Sequence, residues 1–454
     1  MTDRGPASAQ EPSELPRVLT LRDATMLVVS SVIGVGIFFT PGGVAKLLPS
    51  TGWFFAAWVA GGALALAGAL ANAELGAMFP RAGGNYVYLT RAYHPMAGFL
   101  VGWLSFFAIF AGTVATLAVG ATLSLAALVK PYELTPFAST AIAVTVIWLA
   151  SAVNAYATRA GAILNTTTAY LKLAAIVLLV GAGIFALGDR APAAAFTSAG
   201  EASLSSFGVA LSPVIFSFLG WNASVYVAGE IESPGKNLPR SLFLGLGICT
   251  TVYVLLTGTF VRTLGMANIV GQPTVGFAAG DAIFGQGNKV VAGIMLASVF
   301  GCLNANVLVG PRIAFAMARD RLFFSPAARL NASGTPYVAV LVQAAVATVL
   351  VVSFKNNLTR VLDYTTFAIV LATIADTTAL YVLRRRAPAQ PRPYRAAGYP
   401  VVPGLYLVAN VAIAVSMLVA RPTESIASVA VLLGGVPFFA AFLVVARSRA
   451  SRRT

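Results

Sequence analysis

Polar residues in this chain are gathered between long apolar runs instead of alternating with apolar ones. Such runs occupy 24–45, 47–73, 95–129, 134–158, 160–187, 202–229, 241–261, 290–311, 330–354, 364–383, 396–420 and 425–446, and only Lys172 and Asp376 place a charge inside one. A helix crosses the hydrocarbon core with roughly 20 apolar residues. The pattern therefore predicts an all-α polytopic membrane protein with 12 transmembrane helices. Membrane barrels need strands that alternate apolar and polar side chains, which these runs do not supply. The stretch 263–280 is uncharged but rich in Gly, Asn and Gln around Pro273, and reads as an external loop or re-entrant turn.

Composition agrees. Hydrophobic side chains make up 58% and charged ones 10% of the 454 residues, against about 25% charged in soluble domains. The net charge of +15 would suggest nucleic acid in a soluble protein. Here its placement is topological: with the N-terminus cytoplasmic, 21 Lys and Arg fall on cytoplasmic segments and eight on external ones. The positive-inside rule puts both termini in the cytoplasm, with the plasma (inner) membrane as the expected location and no nucleic-acid partner. Arg384, Arg385, Arg386, Arg392 and Arg395 crowd one loop, and Arg447, Arg449, Arg452 and Arg453 close the chain, where they could also meet anionic lipid. Residues 1–22 hold three prolines and no apolar core, and read as a short disordered tail, not a signal peptide.

Two runs are interrupted at mid-depth. The first carries Ser31-Val32-Ile33-Gly34-Val35-Gly36-Ile37-Phe38 followed by Pro41; the sixth carries Pro213, then Phe216-Ser217-Phe218-Leu219-Gly220-Trp221-Asn222. Glycine weakens a helix and lets backbone approach closely. Gly34 and Gly220 are 186 residues apart, which matches two consecutive units of five spans. Interrupted helices at equivalent positions of two halves point to an inverted-repeat transporter, with the site at the breaks. The alternative is that such glycines only let helices pack closely. The resulting division is tail 1–22, first repeat 23–188, second repeat 202–386, two further spans at 396–446 and a basic tail 447–454.

Four stretches carry a resemblance: Val32–Phe38 with Pro41; Ala73–Pro80 with Gly83, Gly84, Tyr86 and Tyr88; Gly220–Asn222 with Glu230, Pro234, Asn237 and Pro239; and Asn304 through Arg312 to Asp320. With span count and order, the chain over about 20–445 resembles the amino acid, polyamine and organocation transporter superfamily, nearest its L-type-like permeases. The resemblance implies the five-plus-five inverted repeat of the sodium–leucine symporter type. It implies carboxylate-binding amides at Val35 and Gly36 with Ile37 adjoining, ammonium-binding carbonyls at Val32, Phe216 and Leu219, and a side-chain pocket bounded by Phe216, Leu219, Trp221 and Asn222. Ile33, Gly34 and Gly220 complete the two breaks. Phe216 matches an external gate of relatives. Val35 and Leu219 replace residues that are often Ser, or Ser, Gly or Asp, which favours neutral, small or apolar substrates.

Lys172 matches a fifth-span lysine that replaces sodium in sodium-independent relatives, so the resemblance implies a coupling role, with protons a candidate coupled ion. A lysine snorkelling to the interface is the alternative. Glu74 and Glu230 read as gate or helix-end acids near basic loops, Asp376 as an interfacial acid, and Asn304 and Asn306 as interhelical hydrogen bonders. The function implied is sodium-independent secondary transport of amino acids by alternating access, as neutral exchange or proton-coupled uptake; a cationic amino acid or polyamine antiporter is the alternative. A membrane-embedded enzyme is disfavoured because His94 alone and scattered acids make no catalytic cluster, a channel because there is no repeated filter, and an ATP-driven pump because there is no GxxxxGK[ST] motif. No catalytic residue, metal or cofactor is expected. Cys249 and Cys302 lie in apolar runs; eukaryotic L-type permeases attach to a glycoprotein through a cysteine in the loop that matches 130–136, which has none here, so the resemblance implies no disulfide-linked partner.

Overall fold

The computed structural model describes residues 15–34, 36–129, 132–185, 196–285 and 288–451. Residues 1–14, Val35, Lys130, Pro131, Arg452 and Arg453, on which some of the expectations above rest, lie outside them.

The described fold is helical. A capping box starts α1 (Leu21–Val32): the Thr20 side chain accepts from the Asp23 amide while the Asp23 carboxylate accepts from Thr20. After a break comes α2 (Gly36–Leu47), bent 49° from α1. Then follow α3 (Thr51–Met78), the short α4 (Asn85–Ala92) and α5 (Pro95–Leu128), which contains a π-helical turn at Ser105–Phe110. Prolines at the first helical position, where the missing N–H costs nothing, start α5, α6 (Pro136–Tyr156) and α10 (Pro234–Leu264). Between α6 and α10 lie α7 (Thr158–Phe185), α8 (Leu204–Ser217) and the single turn α9 (Ala223–Tyr226). The chain continues through α11 (Val275–Phe284), α12 (Asn288–Val309), α13 (Pro311–Arg319), α14 (Tyr337–Ser353), α15 (Leu358–Arg386), α16 (Val401–Ala420) and α17 (Pro422–Ser451).

Among the described residues, nine helices are long and apolar enough to cross a membrane, or ten with the bent α1–α2 pair. The sixth and ninth predicted runs form α8 and α14, which are apolar but shorter than a full crossing, so the count of 12 is not reached by length and composition. For α8 the reason is its interruption: the helix stops at Ser217 and resumes at Ala223. The stretch 263–280 is more ordered than a plain loop, carrying the turn Met266–Ile269 and most of α11.

α1 is enclosed by α7, α10 and α12, α2 packs on α8, and α15 lies against α5. Large apolar side chains such as Leu178, Phe185, Val419 and Val444 point outward, as a lipid-facing surface requires. Asp376, expected at an interface, is instead buried at 1% exposure inside α15, because its helix face turns toward α4 and not toward the loop that carries the arginines.

A candidate substrate site between two helix breaks

Where α1 ends, the Gly34 amide turns back to the Val32 carbonyl at 2.9 Å instead of continuing the helical ladder. At the other break Phe218 and Leu219 close tight turns onto Ile215 and Phe216. Gly220 then takes φ +96, a left-handed conformation that disfavours any other residue. The two breaks lean on each other. A Cβ on Gly220 would stand 2.7 Å from the Ser31 carbonyl, and one on Gly36 would stand 3.1 Å from the Ser217 Cα. Thr40 and Ser217 hydroxyls are 2.8 Å apart. Tyr253 of α10 places its hydroxyl 2.9 Å from the Val32 carbonyl and 2.7 Å from that of Ser217, sharing one proton between the two broken helices.

Lys172 of α7 is fully buried and reaches the end of α1. Its ammonium donates to the carbonyls of Ser30 at 3.2 Å, Ile33 at 2.8 Å and Ser298 of α12 at 3.0 Å. An ammonium has three protons, and each finds an acceptor. The last carbonyls of a helix have no partner within it, so the end of α1 supplies the acceptors that a buried cation needs. Snorkelling is excluded by this burial.

A cavity of about 100 Å³ lies beside the breaks. Of the sequence-predicted residues, Val32, Gly34, Gly36, Phe216, Leu219, Gly220 and Asn222 line it. Ile33 and Ile37 turn into the apolar core. Trp221 is not a wall of the cavity: it is buried edge-on against Tyr406, with ring centroids 6.3 Å apart, because the left-handed Gly220 swings the next side chain away from the opening. Val35 lies outside the described residues. The remaining wall comes from Ile109, Phe110, Thr113 and Thr116 of α5, Tyr226 of α9, Cys302 and Asn306 of α12, and Thr365, Thr366 and Thr373 of α15. Sequence reading missed those on α5, α12 and α15 because no glycine break marks these helices, and Tyr226 because it stands past the second break; the one local signal is the π-turn that re-aims α5 at Ile109 and Phe110. No ionisable acid or base of the Asp, Glu, Lys or Arg type lines the cavity among the described residues.

The surroundings are asymmetric. Toward the face where α1 begins and α15 ends, here the terminal face, Glu74 accepts from Arg384 at 2.6 and 2.8 Å, from Arg392 at 3.1 Å and from the Ala396 amide at 2.7 Å. Glu230 accepts from Arg312 at 2.7 and 3.1 Å, both side chains being about 1% exposed. Leu19, just before α1, pairs by backbone with Glu230 and Glu232 at 2.9 Å each, pinning the start of α1 to the segment after α9. Asn304 accepts from Asn154 at 2.7 Å and donates to the Gly161 carbonyl at 3.1 Å, the interhelical role anticipated for it. Toward the opposite face a vestibule of about 330 Å³ opens, lined by Phe39, Asp363, Met417 and Arg421; Gly36, Phe216, Leu219, Leu362 and Thr366 are common to vestibule and cavity.

The amino acid permease family matches residues 19–444. The chain is 30% identical over 436 residues to the serine/threonine exchanger SteT of Bacillus subtilis (strain 168), covering 94% of this chain and 97% of that protein. It is 27% identical over 437 residues to Asc-type amino acid transporter 1 of Mus musculus, covering 95% and 82%. It is 26% identical over 439 residues to large neutral amino acids transporter small subunit 2 of Homo sapiens, covering 94% and 80%. A helical membrane protein with two facing helix breaks, matched from before α1 into α17, belongs to the amino acid permease family.

Proposed function

We propose that the protein exchanges small neutral amino acids across the membrane by alternating access, without sodium. The observation that carries this reading is the buried Lys172 ammonium tied to the end of α1 beside the cavity. A fixed cation at that place does what a bound sodium would do, neutralising the free carbonyls of the first break. The five-plus-five repeat, with breaks at equivalent positions, supplies the frame, and both termini are cytoplasmic in this reading.

The substrate carboxylate meets the N-terminus of α2 at Gly36, where unpaired amides and the helix dipole favour an anion. Its ammonium meets carbonyls of the two breaks at Val32, Phe216 and Leu219. The side chain faces Asn222 and the threonines of α5 and α15, where Thr116, Thr365 and Thr366 donate their O–H to backbone carbonyls and keep the hydroxyl oxygen to accept. An uncharged wall leaves a cationic side chain without a counter-ion, so it supports neutral substrates over arginine or polyamines. Phe216, common to cavity and vestibule, closes over the substrate from the opposite face. Rocking of α1, α2, α8 and α9, together with α3 and α10 that pack on them, against the remaining helices then requires the Glu74 and Glu230 ion pairs to part on the terminal face.

The test is uptake of a labelled neutral amino acid panel by purified protein in liposomes, with and without internal amino acid, at fixed sodium and pH. Stimulation by internal substrate identifies exchange. Uptake of arginine or polyamines with no response to neutral amino acids would sink the proposal.

A further inference from the structure

Asp376 lies on α15 one turn beyond Ala372 and Thr373, which line the cavity, so it stands about 5.4 Å from them along the helix toward the terminal face. It is 1% exposed, and its Oδ1 has no hydrogen-bond donor among the described residues. Asn85 and Tyr88 of α4 lie within hydrogen-bonding reach of its carboxyl, but each also has another acceptor: Asn85 donates one N–H to the Ser105 hydroxyl at 3.1 Å and Tyr88 directs its single O–H to Asn72 Oδ1 at 2.6 Å. Asn85 Oδ1 is itself buried without a donor. Two acceptors in one buried place, both lacking a proton to share, are short of one hydrogen.

The other titratable groups around Asp376 do not supply it. Tyr93, after α4, gives its hydroxyl to the Ala375 carbonyl at 3.1 Å; Tyr226 of α9 and Tyr406 of α16 complete the ring of tyrosines. Glu74 of α3 is held by Arg384 and Arg392, Arg386 donates to the Ala92 carbonyl, and Arg91 of α4 is exposed. α5 contributes no titratable side chain. Asp363 and Glu424 sit at the other end of α15 with Arg421 and Arg360. No basic side chain pairs with Asp376 among the described residues.

We propose that Asp376 is a proton-binding site of the transport cycle, occupied while the terminal face is closed and emptied to water there when the Glu74 cluster parts. The carboxyl O–H breaks, the proton passes to water, and a carboxylate remains that only the opened, hydrated conformation tolerates. Tyr226 touches both sides of this device, since it lines the cavity and faces Asp376, and Asn222 donates to its hydroxyl at 3.4 Å. Low pH therefore favours the conformation closed at the terminal face, and high pH favours opening. The coupling rests on the transport reading above; the bound proton does not.

Infrared difference spectra of lipid-reconstituted wild type against Asp376→Asn at neutral pH test the proton directly. A protonated-carboxyl carbonyl band present in the wild type, absent in D376N and shifted in Asp376→Glu is expected. Carboxylate bands alone, as an ionised Asp376 held by a rotated Asn85 amide would give, overturn the proposal. In proteoliposomes wild-type exchange should change severalfold from mildly acidic to mildly alkaline pH, while D376N is flat. An unchanged pH response in D376N, or one replaced by a sodium response in the wild type, refutes the coupling. Absence of any exchange by the wild type would count against the transport reading and leave the infrared result standing.

Discussion

Replacing Lys172 by Met keeps the length of the side chain and removes its charge. Three carbonyls then lose a donor, and two of them, Ser30 in the last turn of α1 and Ile33 just after it, belong to the first break. The amide that would have served Ser30 in a continuing helix belongs to Gly34 and points at Val32 instead. A buried carbonyl without a donor costs about 1–3 kcal/mol, or roughly 2–6 kcal/mol for the pair. Against this, a buried lysine carries an insertion cost of roughly 2.5–3.5 kcal/mol that Met does not. The terms largely offset, so the variant folds, with stability lowered by no more than about 3.5 kcal/mol. Transport responds far more, because the ammonium fixes the end of α1 relative to α7 and α12. A loss of only about 1.4 kcal/mol in the state that crosses between faces slows exchange tenfold. The assay is exchange of internal for external labelled amino acid by purified, monodisperse Lys172→Met in liposomes, beside its thermal unfolding. Exchange at the wild-type rate in a sodium-free medium would refute the reasoning, as would a wild type that stops when choline replaces sodium.

Tyr253→Phe removes the proton shared by Val32 and Ser217 and leaves one buried carbonyl short, a cost of about 1–3 kcal/mol; KM for the substrate should rise and the maximal rate fall severalfold while yield and monodispersity are unchanged. Glu74→Gln unpairs Arg384 and Arg392 at the terminal face, where a fully buried broken pair would cost about 3–5 kcal/mol and the partial exposure of Arg384 brings it lower. Labelling of the cavity residue Cys302 by an impermeant thiol reagent applied from that face should rise severalfold, and Cys302→Ser should abolish it. Gly220→Ala combines an unfavourable backbone with a Cβ 2.7 Å from the Ser31 carbonyl; transport should be lost, with a lowered unfolding temperature, and normal exchange by this variant would show that the two breaks do not meet as described.

The helical class is legible in the long apolar runs, and both breaks and the mid-span place of Lys172 are legible because each departs from an uninterrupted apolar helix. Gly34 and Gly220 interrupt hydrogen bonding where no water can replace it, and a lysine in mid-span needs acceptors from somewhere. Residues that break no rule stayed hidden. Thr113, Thr116, Thr365 and Thr366 resemble any threonines in a membrane helix, where the hydroxyl bonds back to a carbonyl four residues earlier, as Thr116 and Thr365 do. Trp221 misled for a related reason: adjacency to a break says nothing of the direction a side chain takes after a left-handed residue. Distance in sequence from Arg384 points Asp376 to the interface, whereas its burial depends on which helix face α4 covers.

A structure determined with a bound neutral amino acid would show whether substrate sits between the two breaks. The carboxylate is predicted against the Gly36 amide at the start of α2, and the ammonium against the carbonyls of Val32, Phe216 and Leu219. Substrate density confined to the vestibule near Asp363 and Arg421, or away from both breaks, would rule out this site.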